Sequence, residues 1–272
     1  DPENGMAYLA KLMAKLKTPQ FIALENLSEP FDDERLYEKA VRFGDDELRG
    51  KLEGMNRTIR ARLQEARQTE TQIAKYKVGD IIRFGRYEQD NDLSNGPEEI
   101  EWRILAIEGD MALVVSVMGL DAKRYNEEYT DITWEDCTLR SWLNNEFCNA
   151  AFNEAERAKI ERTHVVNEDN PTYSTKGGND TEDDVFLLSI AEAERNFKDN
   201  DDRKMKPTKY AKAKGAWTSS NNGNVYWWLR SPGYIQSIAS GVYSLGNILT
   251  DGNSVYFREA SVRPALRINL GK

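Results

Sequence analysis

Apolar residues recur at three- and four-residue spacing near the start of the chain. Met6, Leu9, Leu12, Met13 and Leu16 share one helical face and predict a short helix. Pro19 and Pro30 interrupt, after which Asp32, Asp33 and Glu34 place acids in the first turn of a second helix, where they suit its dipole. The longest periodic stretch runs from about Asp45 to Lys75, with Leu48, Leu52, Met55, Ile59, Ala66 and Ile73 near seven-residue spacing and Arg or Glu between them. Its heptads break at Arg62 and Thr69. That favours packing of the stripe on the neighbouring helices or the next domain over an oligomerising coiled coil, with an assembly contact as the other use.

After Tyr76 the period changes. VGDIIRFGRYEQ and IEWRILAIEGDMALVVSVMGL alternate apolar and polar positions, and Gly109-Asp110 marks a hairpin turn. Residues 133 to 163 return to helical spacing, with Leu139, Trp142, Leu143, Phe147 and Phe152 on a buried aromatic face. Val185 to Phe197 reads as a strand and helix, and KDNDDRKMKPTKYAKAKG as a charged surface loop. The tail predicts two hairpins: Ala239 to Ser244, a turn at Leu245 to Asn247, Ile248 to Thr250, a turn at Asp251-Gly252, then Ser254 to Phe257. Flanking them, Trp227, Trp228, Leu229, Val262, Pro264, Leu266 and Ile268 are core candidates. The expected organisation is therefore α+β, with a helical segment over 1–76 and a β-containing domain over 77–272.

Composition narrows the function. A net charge of -9 disfavours a phosphate-binding surface, so nucleic acid is not an expected partner. The longest apolar run, Met111 to Leu120, is half the length of a membrane-spanning helix and reads as a buried strand. The chain opens on Asp1 without a basic-then-apolar leader, a start that reads as a processed end and leaves export open. Cys137 and Cys148 match no metal spacing and read as buried free thiols.

Candidate chemistry is thin. The single histidine, His164, sits at the edge of a predicted strand, where a structural or exposed role fits better than catalysis. Asn167 to Asp184 holds six carboxylates that could offer oxygen ligands, but its spacing fits no calcium loop and it reads as a solvated loop. No carboxylate dyad, phosphate cradle, cofactor site or catalytic residue stands out.

The segments FGRY, WRIL, ITWEDCTLRSWLNNEF, THVVNEDNP, STKGGNDTEDDVFLLS, WWLRSPG and VRPALRINL together resemble an uncharacterised bacterial and phage domain family, over about Lys77 to Lys272. That family includes variable proteins of diversity-generating retroelements, and related variable proteins adopt a C-type-lectin fold of the formylglycine-generating-enzyme type. The resemblance implies a C-type-lectin-like domain with a variable region at about 225–270. Retroelements of this kind turn AAC codons into NNC codons, which cannot specify Trp, Gln, Met, Lys or Glu. Those five make up 61 of 272 residues, so the 22 residues from Ser237 to Arg258 should hold about five. They hold none.

The resemblance further implies a non-enzymatic binding face for a protein or cell-surface ligand, with neither cofactor nor metal. Its contact residues would be Tyr234, Ile235, Ser237, Ile238, Gly241, Tyr243, Ser244, Leu245, Asn247, Leu249, Asn253, Ser254, Tyr256, Phe257 and Arg258. Among them Tyr234, Tyr243, Tyr256, Phe257 and Arg258 are the expected anchors, and Ser237, Ser244, Asn247, Asn253 and Ser254 the adaptable hydrogen-bonding groups. The fold's enzymatic relatives oxidise a substrate cysteine with their own cysteines. Cys137 and Cys148 lie away from the tail, so that activity is not carried over. The competing expectation is an enzyme or sugar-binding domain on the same fold, using the acidic loop 168–184 with His164.

Overall fold

The computed structural model describes residues 3–272 and divides them at Ala74 into two compact units. Asp1 and Pro2, the start read above as a processed end, lie outside the described residues. The first unit is helical. α1 (Gly5–Lys15) is capped by Asn4, whose side chain accepts from the Ala7 amide at 3.0 Å; a 3-10 turn at Phe21–Asn26 and α2 (Arg35–Phe43) follow. α3 (Asp46–Ile73) starts where Asp45 accepts from the Leu48 amide at 2.7 Å, with Asp46 and Glu47 against the positive helix end. Leu48, Leu52, Met55 and Ile59 bury against Leu9, Leu12, Leu24, Phe31 and Ala40. Leu63 still packs on this cluster, but farther along α3 Ala66 is exposed and Ile73 half-buried. Asn56, buried among these apolar groups, is satisfied by the Phe31 amide at 2.8 Å and the Leu52 carbonyl at 3.2 Å.

The second unit holds, in chain order, β1 (Ile81–Tyr87), β2 (Glu98–Glu108), β3 (Met111–Ser116), β4 (Asp121–Ala122), β5 (Ile160–Glu161), β6 (Thr163–Val165) and β7 (Thr181–Asp183). β8 (Trp227–Pro232), β9 (Ile238–Val242), β10 (Ile248–Ser254), β11 (Ser261–Val262) and β12 (Ala265–Asn269) complete it. Short helices punctuate them: α4 (Thr138–Trp142), α5 (Cys148–Ala151), α6 (Glu154–Arg157), α7 (Ile190–Asn196), α8 (Asn200–Arg203) and α9 (Lys209–Ala213). One sheet has the antiparallel order β1-β2-β3-β12-β5, and a second the order β10-β9-β8-β11-β4, with β8 and β11 parallel. The chain passes from the second sheet to the first at Arg263-Pro264. β6 and β7 pair separately. The class is thus α+β with an N-terminal helical segment, and no described helix is long and apolar enough to cross a membrane.

Aromatic residues fill the core of this unit, and the buried indole N–H groups are met. Trp102, Trp134, Trp227 and Trp228 are buried, and their indole N–H groups donate to Phe84 O (2.7 Å), Asp183 Oδ2 (2.9 Å), Arg203 O (3.2 Å) and Lys123 O (2.9 Å). Leu139, Leu143, Phe147 and Phe152 are buried as their spacing predicts, with Trp142 half-buried. That helical stretch is broken into α4, one π turn over Leu143–Phe147 and α5.

Three expectations change. Asp251-Gly252 is not a hairpin turn but a bulge inside β10: Leu249 pairs with Gly241 and Asn253 with Ala239, so residues 250–252 stand opposite Ser240 alone. Gly252 has φ 77°, which bulge and turn both accept, and Ser254 to Phe257 forms no separate hairpin strand. Residues 185–188 form no strand, and only Phe186 bridges β12, at Ala265. The charged loop after Phe197 carries α8 and α9, capped by Asp199 and Thr208.

Asp183 is fully buried and accepts from Trp134, from Arg140 Nε at 2.6 Å and from the Thr181 hydroxyl at 2.8 Å. Asp183→Ala strands all three donors and should cost about 3–5 kcal/mol in denaturant unfolding. Asp183→Asn, which keeps the shape, should cost less; equal stability of Asp183→Ala and the parent would refute this role.

Candidate functional site

The β9–β10 hairpin is held at both ends. At its turn the Tyr243 amide donates to Asn247 O (2.9 Å) and the Gly246 amide to Tyr243 O (2.7 Å). Gly246 has φ 86°, and a side chain there would begin 1.7 Å from the Asn200 carbonyl, so only glycine lets the turn settle on α8. Arg203 Nε donates to Gly246 O at 2.8 Å, and the amides of Asn222 and Asn224 donate to Ser244 O at 3.2 and 3.1 Å. At the opposite end the Tyr234 amide donates to Asp251 O at 3.1 Å. The buried Asn170 amide bridges Pro232 O (2.7 Å), Gly233 O (3.3 Å) and Thr250 O (2.8 Å), joining three stretches of main chain. Gln236 reaches Ile132 O and Lys176 O at 3.1 and 3.0 Å.

On this pinned backbone large side chains face outward. Tyr243 and Leu245 are exposed at the turn, where Tyr243 stacks on Trp217 with ring centres 5.9 Å apart. Tyr234 and Ile235 are exposed at the other end, and Tyr234 meets Tyr173 edge-on at 6.2 Å. The five residues of β9 separate the two groups by roughly 15 Å. Residues 255–260 then cross from one end to the other, from the Val255 amide on Ser237 O (3.0 Å) to Glu259 O, which accepts from the Trp217 amide at 2.9 Å. Along this crossing Tyr256 is covered on one face by the Arg124 guanidinium, 3.9 Å from the ring centre, while Arg124 also pairs with Glu127 at 2.7 Å. Phe257 leans edge-on against Tyr226 and Trp228.

The sequence-derived contact set therefore sorts into three groups. Tyr234, Ile235, Tyr243, Leu245, Tyr256 and Arg258 are exposed; Ile238, Asn247, Leu249, Asn253, Ser254 and Phe257 are half-buried. Ser237, Gly241 and Ser244 are buried, and this corrects their placement among the contacts. At Gly241 β9 passes under the Tyr226 ring: an added Cβ would lie 2.2 Å from the Tyr226 hydroxyl oxygen. Ser237 and Ser244 spend their main-chain carbonyls on Val255 and on Asn222 and Asn224. Tyr129, Tyr173, Trp217 and Arg124 border the tail residues but lie outside the predicted window. Their sequence signal is an aromatic or arginine in a polar stretch that no buried face explains.

The acidic loop is largely committed to the fold. Asp183 sits in its buried cluster, Asp180 Oδ1 accepts from the Asn167 amide at 2.9 Å, and Asp169 pairs with Lys176 at 2.7 Å, which holds its carboxyl below the usual range. His164 is exposed on β6 with Nδ1 2.8 Å from Glu182 and Nε2 3.4 Å from Asp180. Among the described residues the acid trio with oxygens within 4.8 Å of one another is Glu88, Asp90 and Glu98, outside this loop. Asp90 and Glu98 accept there from the Asp92 amide, Asn95 and the Gln89 amide, closing the connection between β1 and β2. Cys137 and Cys148 are buried free thiols, and burial pushes Cys137 up to about 12, so it stays protonated at neutral pH.

Residues 108–270 match the family described as a domain of unknown function (DUF6273), and the chain belongs to that family. The matched span covers β3 through β12 and so takes in the hairpin and its braces, while β1, nearly all of β2 and the helical unit fall outside it. The chain matches no curated protein and no solved structure.

Two measurements check this geometry. Gly241→Ala should cost about 1–3 kcal/mol by overpacking against Tyr226. Tyr226→Phe, which removes a buried hydroxyl that has no hydrogen-bond partner, should be neutral or stabilising. A stable Gly241→Ala protein would show that β9 and Tyr226 are not in this contact. The His164 imidazole is raised above its ordinary value, first by its hydrogen bond to Glu182 and then by Asp180. Its ion pair contributes while the ring is protonated and is lost as pH rises through the raised value. An NMR titration should show the raised value, falling back in Glu182→Gln; identical titrations in the two proteins would refute the pairing.

Proposed function

We propose that the Lys75–Lys272 unit is a non-enzymatic ligand-binding module of C-type-lectin type, a retroelement-diversified variable protein that takes up a protein or other surface ligand through its C-terminal face. One observation carries this reading: Tyr234, Ile235, Tyr243, Leu245 and Tyr256 stand exposed on main chain that scaffold groups, the buried Asn170 and the half-buried Arg203 among them, hold in place. Water-exposed rings and branched aliphatics contribute little to folding, at about 25 cal/mol per Å² they could have buried, yet they are the groups that anchor interfaces. The absence of Trp, Gln, Met, Lys and Glu from Ser237 to Arg258 supports adenine-directed diversification. The burial of Ser237, Gly241 and Ser244 narrows the exchangeable set to side chains that point outward. In this reading the helical unit serves to attach the module to a larger assembly.

The DNA beside the gene tests the diversification. It should contain a reverse-transcriptase gene and an imperfect repeat of the segment encoding 225–270, mismatched at template adenines in codons for the outward residues and sparing 237, 241 and 244. A genome without such a repeat overturns that part. Binding is tested by replacing Tyr243, Leu245 and Tyr256 together with Ala, which should abolish ligand capture while costing about 1 kcal/mol or less per site in stability. Unchanged capture by the triple variant would overturn the contact face.

A further inference from the structure

Four segments distant in sequence meet around the β8–β9 connection, and each brings an exposed large side chain. Ile132 and Gln236 bond each other's main chain, with the Ile132 amide on Gln236 O at 3.2 Å and the Gln236 side chain on Ile132 O. This brings the loop carrying Tyr129 beside the turn carrying Tyr234 and Ile235. Asn170 ties the loop carrying Tyr173 to the same turn, and the Asn126 amide on Val255 O at 2.9 Å brings in the segment carrying Tyr256. The four tyrosines are between 45% and 66% exposed. A fold does not need four half-exposed phenol rings at one end of a sheet, and tyrosine is the residue that gives interfaces rigid contact area at small entropic cost.

The charge around them has one dominant sign. Glu128, Asp131, Glu168 and Asp251 lie in these segments with exposed carboxylates that enter no ion pair among the described residues. The cations nearby are largely spent: Arg124 on Glu127 and Tyr256, and Lys176 on Asp169, leaving Arg258. Electron-rich ring faces and unpaired carboxylates both attract guanidinium and ammonium groups, and Arg124 over Tyr256 is an internal instance of that contact.

We infer that this end of the C-terminal unit, built from Tyr129, Tyr173, Tyr234, Ile235 and Tyr256, docks a cationic, arginine- and lysine-bearing segment of a partner protein. The inference deepens the ligand-binding reading and rests on it, and it adds two contact residues, Tyr129 and Tyr173, that lie outside the region of exchange. They would supply a fixed part of the contact beside an exchangeable one.

The test titrates the isotope-labelled full chain with a dodecamer of alternating Arg and Gly, and separately with its Glu–Gly counterpart, following amide shifts and affinity. Because the chain carries a net charge of -9, attraction alone draws the cationic peptide to many faces. The informative variants therefore leave charge untouched. The cationic peptide should shift amides of 126–132, 171–175, 233–236 and 255–258. Its affinity should fall about tenfold in Tyr129→Ala/Tyr173→Ala and persist in Tyr129→Phe/Tyr173→Phe, with both proteins melting like the parent. Equal binding of the two peptides, a footprint elsewhere, or undiminished affinity in the alanine pair would overturn it. If the neighbouring DNA holds the imperfect repeat but this footprint is absent, the cationic partner fails and the diversified face stands. A footprint without the repeat gives the reverse.

Discussion

A guanidinium withdrawn from water must recover most of its hydrogen bonds from protein, and two such groups organise the C-terminal unit, although the Arg230 Nε is left without a partner. Arg230 on β8 donates to Leu187 O (2.8 Å) and Val166 O (3.0 Å) and contacts Glu192 on α7. Arg263, between β11 and β12, donates to Ser116 O (3.0 Å) and Arg203 O (3.3 Å) and lies over the rings of Phe197 and Trp227. Burial and the nearby Arg103 lower its pKa to about 9, still high enough to stay cationic at neutral pH. A buried charge without partners is costly, so the segments supplying these carbonyls have little freedom to move. This gives WWLRSPG and VRPALRINL their physical meaning as positions where the two sheets and the loops over them are joined.

Arg203 carries that rigidity to the outward face. Its carbonyl accepts from both Trp227 and Arg263, while its own guanidinium holds the Gly246 carbonyl at the hairpin turn. One residue thus belongs to the frame through its main chain and to the hairpin through its side chain. The hairpin's position consequently depends on Arg203, which lies outside the segment proposed to vary, and outward side chains on β10 and the turn, unlike Gly246 and the buried Ser244, can differ in size without disturbing it.

Much of this arrangement was legible in the chain. The spacing of Leu48, Leu52, Met55 and Ile59 marks a buried stripe, and the alternation around Gly109-Asp110 marks the β2–β3 hairpin. The α+β class follows from the change of period after Tyr76. Asp251-Gly252 misleads because the positive φ of Gly252 serves a bulge as well as a turn, and local sequence does not distinguish them. Ser237, Gly241 and Ser244 entered the contact set through the family resemblance, which marks a stretch of chain and not the direction of each side chain. Their burial comes from a partner main chain, a buried tyrosine and two asparagine amides, all distant in sequence. Tyr129 and Tyr173 present the opposite case: they lie in aperiodic loops, where an aromatic in a polar stretch is the one mark of an exposed contact.

The bulge in β10 has a consequence for solubility. β10 is an outermost strand of its sheet, so part of its main chain has no neighbouring strand on one side. A straight strand of that kind, bearing Ile248 and Leu249, would be a template for adding another chain and growing a fibril. The two extra residues at 250–252 throw an incoming strand out of step, and they bring an exposed charge, Asp251, to the edge. A bulged margin of this kind carries its protection against self-assembly in the backbone, where a change of side chain leaves it in place.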